Sequence, residues 1–450
     1  MLLKKRLFKG YILKKICFVT GWYSAPYFSA LGAKLQSYMD VSFIAQDSYT
    51  HQYLLQHKQK VYKRTQKFIF SNAFNNAYEN TVKMDALFTS KGFGNHNFWL
   101  KYYSRKAFSF EKWIRNIWKE NLPDIVVIWN GMWHYEKIVE KIALEKNITK
   151  IFIENGYFPK TAHIDPVGIN AKAEIVYRAK EDLLTNYDKG ELLNFLEESR
   201  NSFSELKRYS QESDLTNSLT FSRFLFFIIE LIIRDFPFIG LEFLSKFIIL
   251  IKSKKKKYLL QSKTPLPKNY IFLPLQVTTD SQLILNSPWI KTSHDLITLM
   301  EETLNKINPD LRLVIKEHPM EDPNVSFKDL SKKFPKIYWA SSYSLEELIK
   351  NAQLVVNINS SVGFQSLLFG KSVICLGNAL YARNGLAYFC HKKEDLADKC
   401  KQALKNKPNM MLVGQFAKTL YEDYCVQYTR GAIQKNDIDA MAKRIVNLTS

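Results

Sequence analysis

A chain of 450 residues is longer than one hydrophobic core normally fills, so two domains are expected. Hydrophobic residues at 46% and charged residues at 24% are ordinary for a soluble globular enzyme and exclude wholesale disorder. The 64 Lys and Arg against 43 Asp and Glu leave a charge of +21, which points to an anionic partner: nucleic acid, an anionic membrane surface or a charged small substrate.

Residues 1–21, MLLKKRLFKGYILKKICFVTG, interleave Lys and Arg with short apolar runs and lack the unbroken apolar core of a secretory signal. The five cysteines, Cys17, Cys375, Cys390, Cys400 and Cys425, form no CxxC pair and no His-spaced metal pattern, which fits a reduced, cytosolic setting. KICFVTG reads as a buried strand, and Pro26 opens a helical apolar pattern after it. VSFIAQD supplies the next strand, and residues 50–120 are aromatic-rich and mostly helical by pattern. LPDIVVIWNG reads as a strand ending in Asn130 and Gly131, YEKIVEKIALEKN as an amphipathic helix, and KIFIENGYF as a further strand. This alternation predicts a parallel sheet covered by helices, with ligands at the carboxyl ends of its strands.

A long stretch rich in Gly, Pro and Asn follows at 152–175, read as irregular and carrying two carboxylates, Glu154 and Asp165. Loops held by a rigid sheet carry function disproportionately, and paired carboxylates suit glycosyl chemistry. Either one alone is as readily a solvated loop acid.

From about 206 to 265 the chain turns helical, then basic. Residues 221–257 are too often interrupted by charge to span a bilayer. They read either as helices packed on a domain face or as a helix in the membrane interface, with Lys252 and Lys254, Lys255, Lys256 and Lys257 drawn to anionic headgroups. Pro265 and Pro267 mark a boundary. The expected division is 1–205, 206–265 and 266–450.

The second alternating unit runs YIFLPLQV, SHDLITLMEETLNKIN, LRLVIKEHP, KIYWAS, SLEELIKNA, LVVNINSS, with Ser344 and Glu347 as a capping box. Three constellations follow its strands. Lys316, His318 and Pro319 sit in KEHP, where Pro319 stops the strand and fixes the imidazole at the sheet edge. Gln276, Asp280 and Gln282 follow YIFLPLQV and suit sugar hydroxyls or a nucleobase, although Asp280 also fits a plain cap. Asn359, Ser360 and Ser361 lead into a helix whose first N–H groups would attract a phosphate, with Lys371 able to add charge; a Ser N-cap alone reads the same way.

Together, ENGYFP…DPVGIN, LPLQVTTDSQL, KEHP and NSSVGFQSLLFGKSVICLGNALYARNGLA resemble the bacterial capsule polysaccharide synthesis family that contains the retaining β-Kdo transferases, over roughly 120–175 and 270–390. The resemblance implies two Rossmann-like α/β domains facing across a cleft, the GT-B-like glycosyltransferase architecture. It further implies a cytoplasmic enzyme, peripheral at the inner face of the bacterial inner membrane, that transfers Kdo from CMP-Kdo with retention to a lipid-linked or Kdo-primed acceptor. Capsule assembly proteins are the protein partners it suggests. By the same resemblance Asp165 is the nucleophile, Glu154 assists proton transfer, and His318, Pro319, Ser360 and Ser361 lie on the nucleotide side, with Gln276, Asp280, Lys316 and Asn359 as further donor-binding candidates. Family members commonly carry Glu where this chain has Gln365, and PKT stands at 159–161 where RPD is usual.

A single phosphate beside a carboxylated sugar can be held by imidazole, hydroxyls and N–H groups, and no clustered Asp, His or Cys calls for a metal or other cofactor. Another CMP- or nucleotide-activated sugar is an alternative donor, and a non-enzymatic basic scaffold of capsule assembly is an alternative role. No nucleic-acid-binding module is recognisable.

Overall fold

The computed structural model describes residues 13–62, 76–178, 187–205, 241–242, 244–245, 248–249, 259–278, 280–319, 321–322, 325–429 and 431–450. The first unit runs β1 (Lys15–Thr20), α1 (Ala25–Leu35), β2 (Asp40–Ala45), α2 (Ser48–Gln56), β3 (Val61–Tyr62), α3 (Glu79–Ser90), α4 (His96–Ile117), β4 (Ile125–Trp129), α5 (His134–Glu145), β5 (Thr149–Asn155) and β6 (Thr161–Asp165). After α6 (Lys189–Glu205), the second unit runs β7 (Tyr270–Pro274), α7 (Ser281–Asn286), α8 (Ser293–Ile307), β8 (Arg312–Lys316), α9 (Lys328–Lys333) and β9 (Tyr338–Trp339). It continues with α10 (Leu345–Asn351), β10 (Leu354–Asn357), α11 (Ser361–Leu368), β11 (Ser372–Cys375), β12 (Tyr388–Phe389), α12 (Leu396–Lys405) and α13 (Met410–Tyr424), before β13 (Cys425–Gln427) and α14 (Lys435–Thr449).

The strands form two sheets, ordered β13-β6-β5-β4-β1-β2-β3 and β12-β11-β10-β7-β8-β9. The second is parallel throughout and the first from β3 to β5. Central strands of parallel sheets are covered on both faces, which is why β1 and β7 read as unbroken apolar runs: Ile16, Cys17, Phe18 and Val19, and Tyr270, Ile271, Phe272 and Leu273, are all fully buried. In each sheet the strand order reverses between two neighbours, β1 and β4 in one, β7 and β10 in the other. That reversal opens a crevice beyond the strands' carboxyl ends. The expected pair of Rossmann-like α/β units is present.

One expectation needs correction. Residues 152–175 are not irregular throughout: β6 pairs antiparallel with β5, matching Phe152 with Asp165 and Glu154 with His163. Its signature is a period-two alternation in which Ala162 and Ile164 face a core while His163 and Asp165 face the other way. Packing also crosses the expected divisions. α6, placed in 1–205, packs Leu192 and Leu196 against Gly414 of α13, and Arg200 Nε donates to Leu368 O at 2.6 Å. The last strand and helix, placed in 266–450, return to the first unit, where β13 pairs with β6 and α14 packs on α1. Apolar stripes on α6 and α14 must be covered, and each finds its cover on the other unit's side of the crossing.

The helical, basic segment expected at 206–265 lies outside the described residues between 206 and 258, except at 241–242, 244–245 and 248–249. There Glu242 is buried, accepting from Lys106 Nζ at 2.7 Å and Tyr102 Oη at 2.9 Å. Among the described residues no helix is long and apolar enough to cross a membrane.

Candidate active site

The carboxyl ends of β7, β8 and β10 gather the second unit's candidate residues. Gln276 and Asn359 are buried and bind one another: Gln276 Nε2 donates to Asn359 Oδ1 at 2.9 Å, and Asn359 N donates to Gln276 Oε1 at 3.2 Å. Asn359 Nδ2 also donates to Gln282 O at 2.8 Å. These bonds tie the β7 and β10 loops together, using one of the two N–H groups of each side-chain amide.

Asp280 and Ser360 are caps. Asp280 Oδ1 accepts from Gln282 N at 2.9 Å at the start of α7, and Ser360 Oγ accepts from Val362 N at 3.2 Å at the start of α11. Ser361 is exposed at the first turn of α11. His318 is half-buried and Pro319 exposed in the turn after β8. Lys316, expected to meet the donor, instead donates to Ser341 O at 2.7 Å and Tyr343 O at 2.8 Å. Burial pushes its amine below the usual lysine range, and two of its three donors go to a neighbouring loop.

Behind the α11 start lies a knot the sequence did not disclose. Tyr381 Oη donates to Asn357 Oδ1 at 2.9 Å and also bonds Ser360 O, while Asn357 Oδ1 accepts from Ser360 N at 2.9 Å. Asn357 and Tyr381 are fully buried, 24 residues apart. The Asn357 side chain follows the apolar run of β10, where a buried polar residue demands a partner; that was the available signal.

In the first unit, Asp165 ends β6 with 0% exposure. Its Oδ1 accepts from Val167 N at 2.7 Å and Gly168 N at 2.9 Å, and its Oδ2 from Glu174 N at 2.9 Å and His163 Nε2 at 3.1 Å. Four donors saturate this carboxylate and curl residues 166–174 around it. That is the geometry of a loop anchor. Glu154, near the end of β5, is only half-buried, with Oε1 accepting from Asn155 N at 2.8 Å and Asn155 Nδ2 at 2.9 Å. Of the two acids, Glu154 is the one solvent can reach.

Beside it lies Glu136, which sequence reasoning missed. It is buried, and its Oε2 accepts from Met132 N at 2.9 Å and Trp133 N at 3.2 Å, fixing the turn after β4. Burial, with the Glu154 and Asp85 charges adding to it, raises its carboxyl well above the usual range.

The two units meet here. Asn130, Met132 and Trp133 after β4, with Met84 and Phe88 of α3, share a cavity of about 280 Å³ with Asp280 and Ser281 at the start of α7. Asn130 and Gly131 both take positive φ, 48° and 70°, and this tight turn delivers Met132 and Trp133 to the cavity. Nearby, the Tyr157 ring meets Phe364 of α11 edge-on at 5.5 Å, and Arg383 donates to Ile175 O at 2.8 Å and Arg178 O at 2.7 Å. Among the described residues no group of three metal-ligating side chains occurs.

Residues 124–430 match the family described as "Capsule polysaccharide biosynthesis protein". The chain is 30% identical over 257 residues to Protein FixF of Sinorhizobium fredii, covering 57% of this chain and 49% of that protein. It is 31% identical over 149 residues to the capsule polysaccharide export protein KpsS of Escherichia coli, covering 32% and 38%. The chain therefore spans half or less of these curated relatives. Among solved structures, the Thermosulfurimonas dismutans KpsC β-Kdo 2,7 transferase aligns with a TM-score of 0.43 at 18% identity, covering 75% of this chain and 90% of that one.

Proposed function

Because the chain belongs to the capsule polysaccharide biosynthesis family, we propose that it is a glycosyltransferase of capsule assembly that moves Kdo from CMP-Kdo, with retention, to a lipid-linked or Kdo-primed acceptor. The observation that carries this reading is the convergence of both sheets' strand ends on one cavity, with Asn130 and Trp133 on one wall and Asp280 and Ser281 on the other. A donor held there has groups from each unit within reach, which is what transfer between two substrates requires.

In this reading the departing CMP phosphate meets His318 and the hydroxyl and backbone N–H of Ser361 at the start of α11. The Gln276–Asn359 pair and the Tyr381–Asn357 knot hold those groups in place. Glu154 is the reacting carboxylate: it bonds the anomeric carbon as the bond to the phosphate oxygen breaks and its electron pair leaves with CMP. The acceptor hydroxyl then displaces Glu154, giving up its proton to a base, so configuration is retained over two displacements. Asp165 serves as a positioning residue for the 166–174 loop. The charge of +21 supports work against an anionic membrane at its cytoplasmic face, with an anionic donor.

The test is incubation of purified protein with CMP-Kdo and either a lysophospholipid or a Kdo-primed acceptor, followed by assay for CMP and for glycosylated acceptor. CMP-sialic acid and UDP-sugars run alongside, so transfer from one of these instead would keep the enzyme class and replace the donor. If no donor turns over and calorimetry finds no nucleotide binding, the non-enzymatic scaffold reading replaces this one.

A further inference from the structure

A second cavity lies on the far side of the same sheet. It measures about 390 Å³ and is lined by Glu197, Arg200, Asn201 and Ser204 of α6 together with Lys350, Phe369 and Lys371. Lys350 lies in the last turn of α10 just before β10, and Lys371 immediately precedes β11, so both stand at the amino ends of strands, β10 among them, whose carboxyl end helps build the transfer site. No group that lines one cavity lines the other.

Its charge is out of balance. Arg200 spends Nε on Leu368 O, which fixes the guanidinium, and among the described residues the rest of its donor fork has no partner. Lys350 pairs with Glu346 at 2.6 Å and lies 5.4 Å over the Phe369 ring, a placement that orients its ammonium along the cavity wall. Lys371 is half-buried, and among the described residues its ammonium has no hydrogen bond or ion pair. Burial, and then the neighbouring Lys407, lowers its amine. A partly desolvated cation next to a second cation and without a counter-ion is costly unless an anion fills the gap. With Lys350 paired to Glu346, Glu197 is the one carboxylate in the lining for the two remaining cations, Arg200 and Lys371.

We propose that this cavity is a binding site for a phosphate group, whether free or carried on an anionic lipid headgroup, seated between Arg200, Lys350 and Lys371. An Arg fork with two lysine point charges suits the three oxygens of a phosphate. The volume is in the range of small-ligand sites. The site is separate from the transfer reaction and stands or falls without it.

The test is acylation of Lys371 in the full chain, followed by peptide mass spectrometry, with inorganic phosphate, phosphatidylglycerol vesicles or phosphatidylcholine vesicles as protectant. Protection by phosphate alone identifies a free phosphate ligand, and protection by phosphatidylglycerol but not phosphatidylcholine identifies a lipid headgroup. Lys350→Gln should weaken the protecting ligand about fivefold, the effect of one cation near an anionic surface. Because Lys350 is exposed, this variant folds normally, as a circular dichroism melt will check. Unprotected Lys371 under every condition, or protection unchanged by Lys350→Gln, overturns the proposal.

Discussion

Gly363 of α11 faces the Tyr381 side chain with no room to spare: a Cβ at Gly363 would lie 2.8 Å from Tyr381 Cζ, closer still to its hydroxyl, and 2.5 Å from Asn357 Nδ2. The glycine lets the start of α11 settle against the knot that fixes Ser360. Gly363→Ala should cost about 1–3 kcal/mol of stability by overpacking, against the gain in helix propensity that alanine brings elsewhere. Tyr381→Phe removes the one proton that Asn357 Oδ1 and Ser360 O share and should cost a similar amount on its own. The double variant should be less destabilised than the sum, because removing the hydroxyl makes room for the methyl. Strict additivity in urea melts would mean the two side chains do not meet.

Asp165 and Glu154 separate stability from chemistry. Asp165→Ala strips an acceptor from three backbone N–H groups and from His163, and should cost at least about 3 kcal/mol while loosening residues 166–174. Glu154→Gln leaves those bonds alone and keeps an oxygen for Asn155, so its melt should match the parent while CMP release is lost. Trapping the sugar adduct and sequencing the labelled peptide decides the matter. A label on Asp165 would show that the loop opens during turnover and that the anchor is the nucleophile after all.

The architecture was legible because it rests on local signals. Unbroken apolar runs announced β1, β4, β7 and β10, and the Ser344 cap, which accepts from Glu347 N at 3.1 Å, stood where S-x-x-E placed it. Ligand-facing roles were less legible, because a polar residue at a strand end looks the same whether it meets a substrate or another side chain. Gln276 and Asn359, 83 residues apart, became each other's partners, and Lys316 turned to two carbonyls. The return of α14 to the first unit has no local signal at all, since an apolar stripe says that a helix is covered but not by what. β6 was within reach: its alternation is regular, and the Gly and Pro on either side masked it.

Arg383 crosses from the second unit to the loop after β6, where each arm of its guanidinium meets a different carbonyl, Ile175 O and Arg178 O. A lysine here carries the charge but cannot span both. Arg383→Lys should therefore raise KM several-fold or lower kcat with little change in melting, and should speed hydrogen exchange at residues 174–178. Burial lowers the guanidinium's proton affinity, yet Arg stays charged at any working pH, so the effect should not vary between pH 6 and pH 9.

Glu136 gives a pH signature of defined sign. Its carboxyl is raised mainly by burial, so the folded chain binds its proton more tightly than the unfolded chain does. Stability from this group is thus full below the ordinary carboxylate range and is lost as pH rises toward the elevated folded value. Glu136→Gln keeps an oxygen to accept from Met132 N and Trp133 N and removes the titration. The parent should lose stability relative to the variant as pH rises above the ordinary carboxylate range, by roughly 1.4 kcal/mol for each unit over which the group stays protonated only when folded. Urea midpoints for both proteins across that rise measure it. Parallel curves would mean that the carboxylate stays ionised in the fold, held by its two amides against the cost of burial.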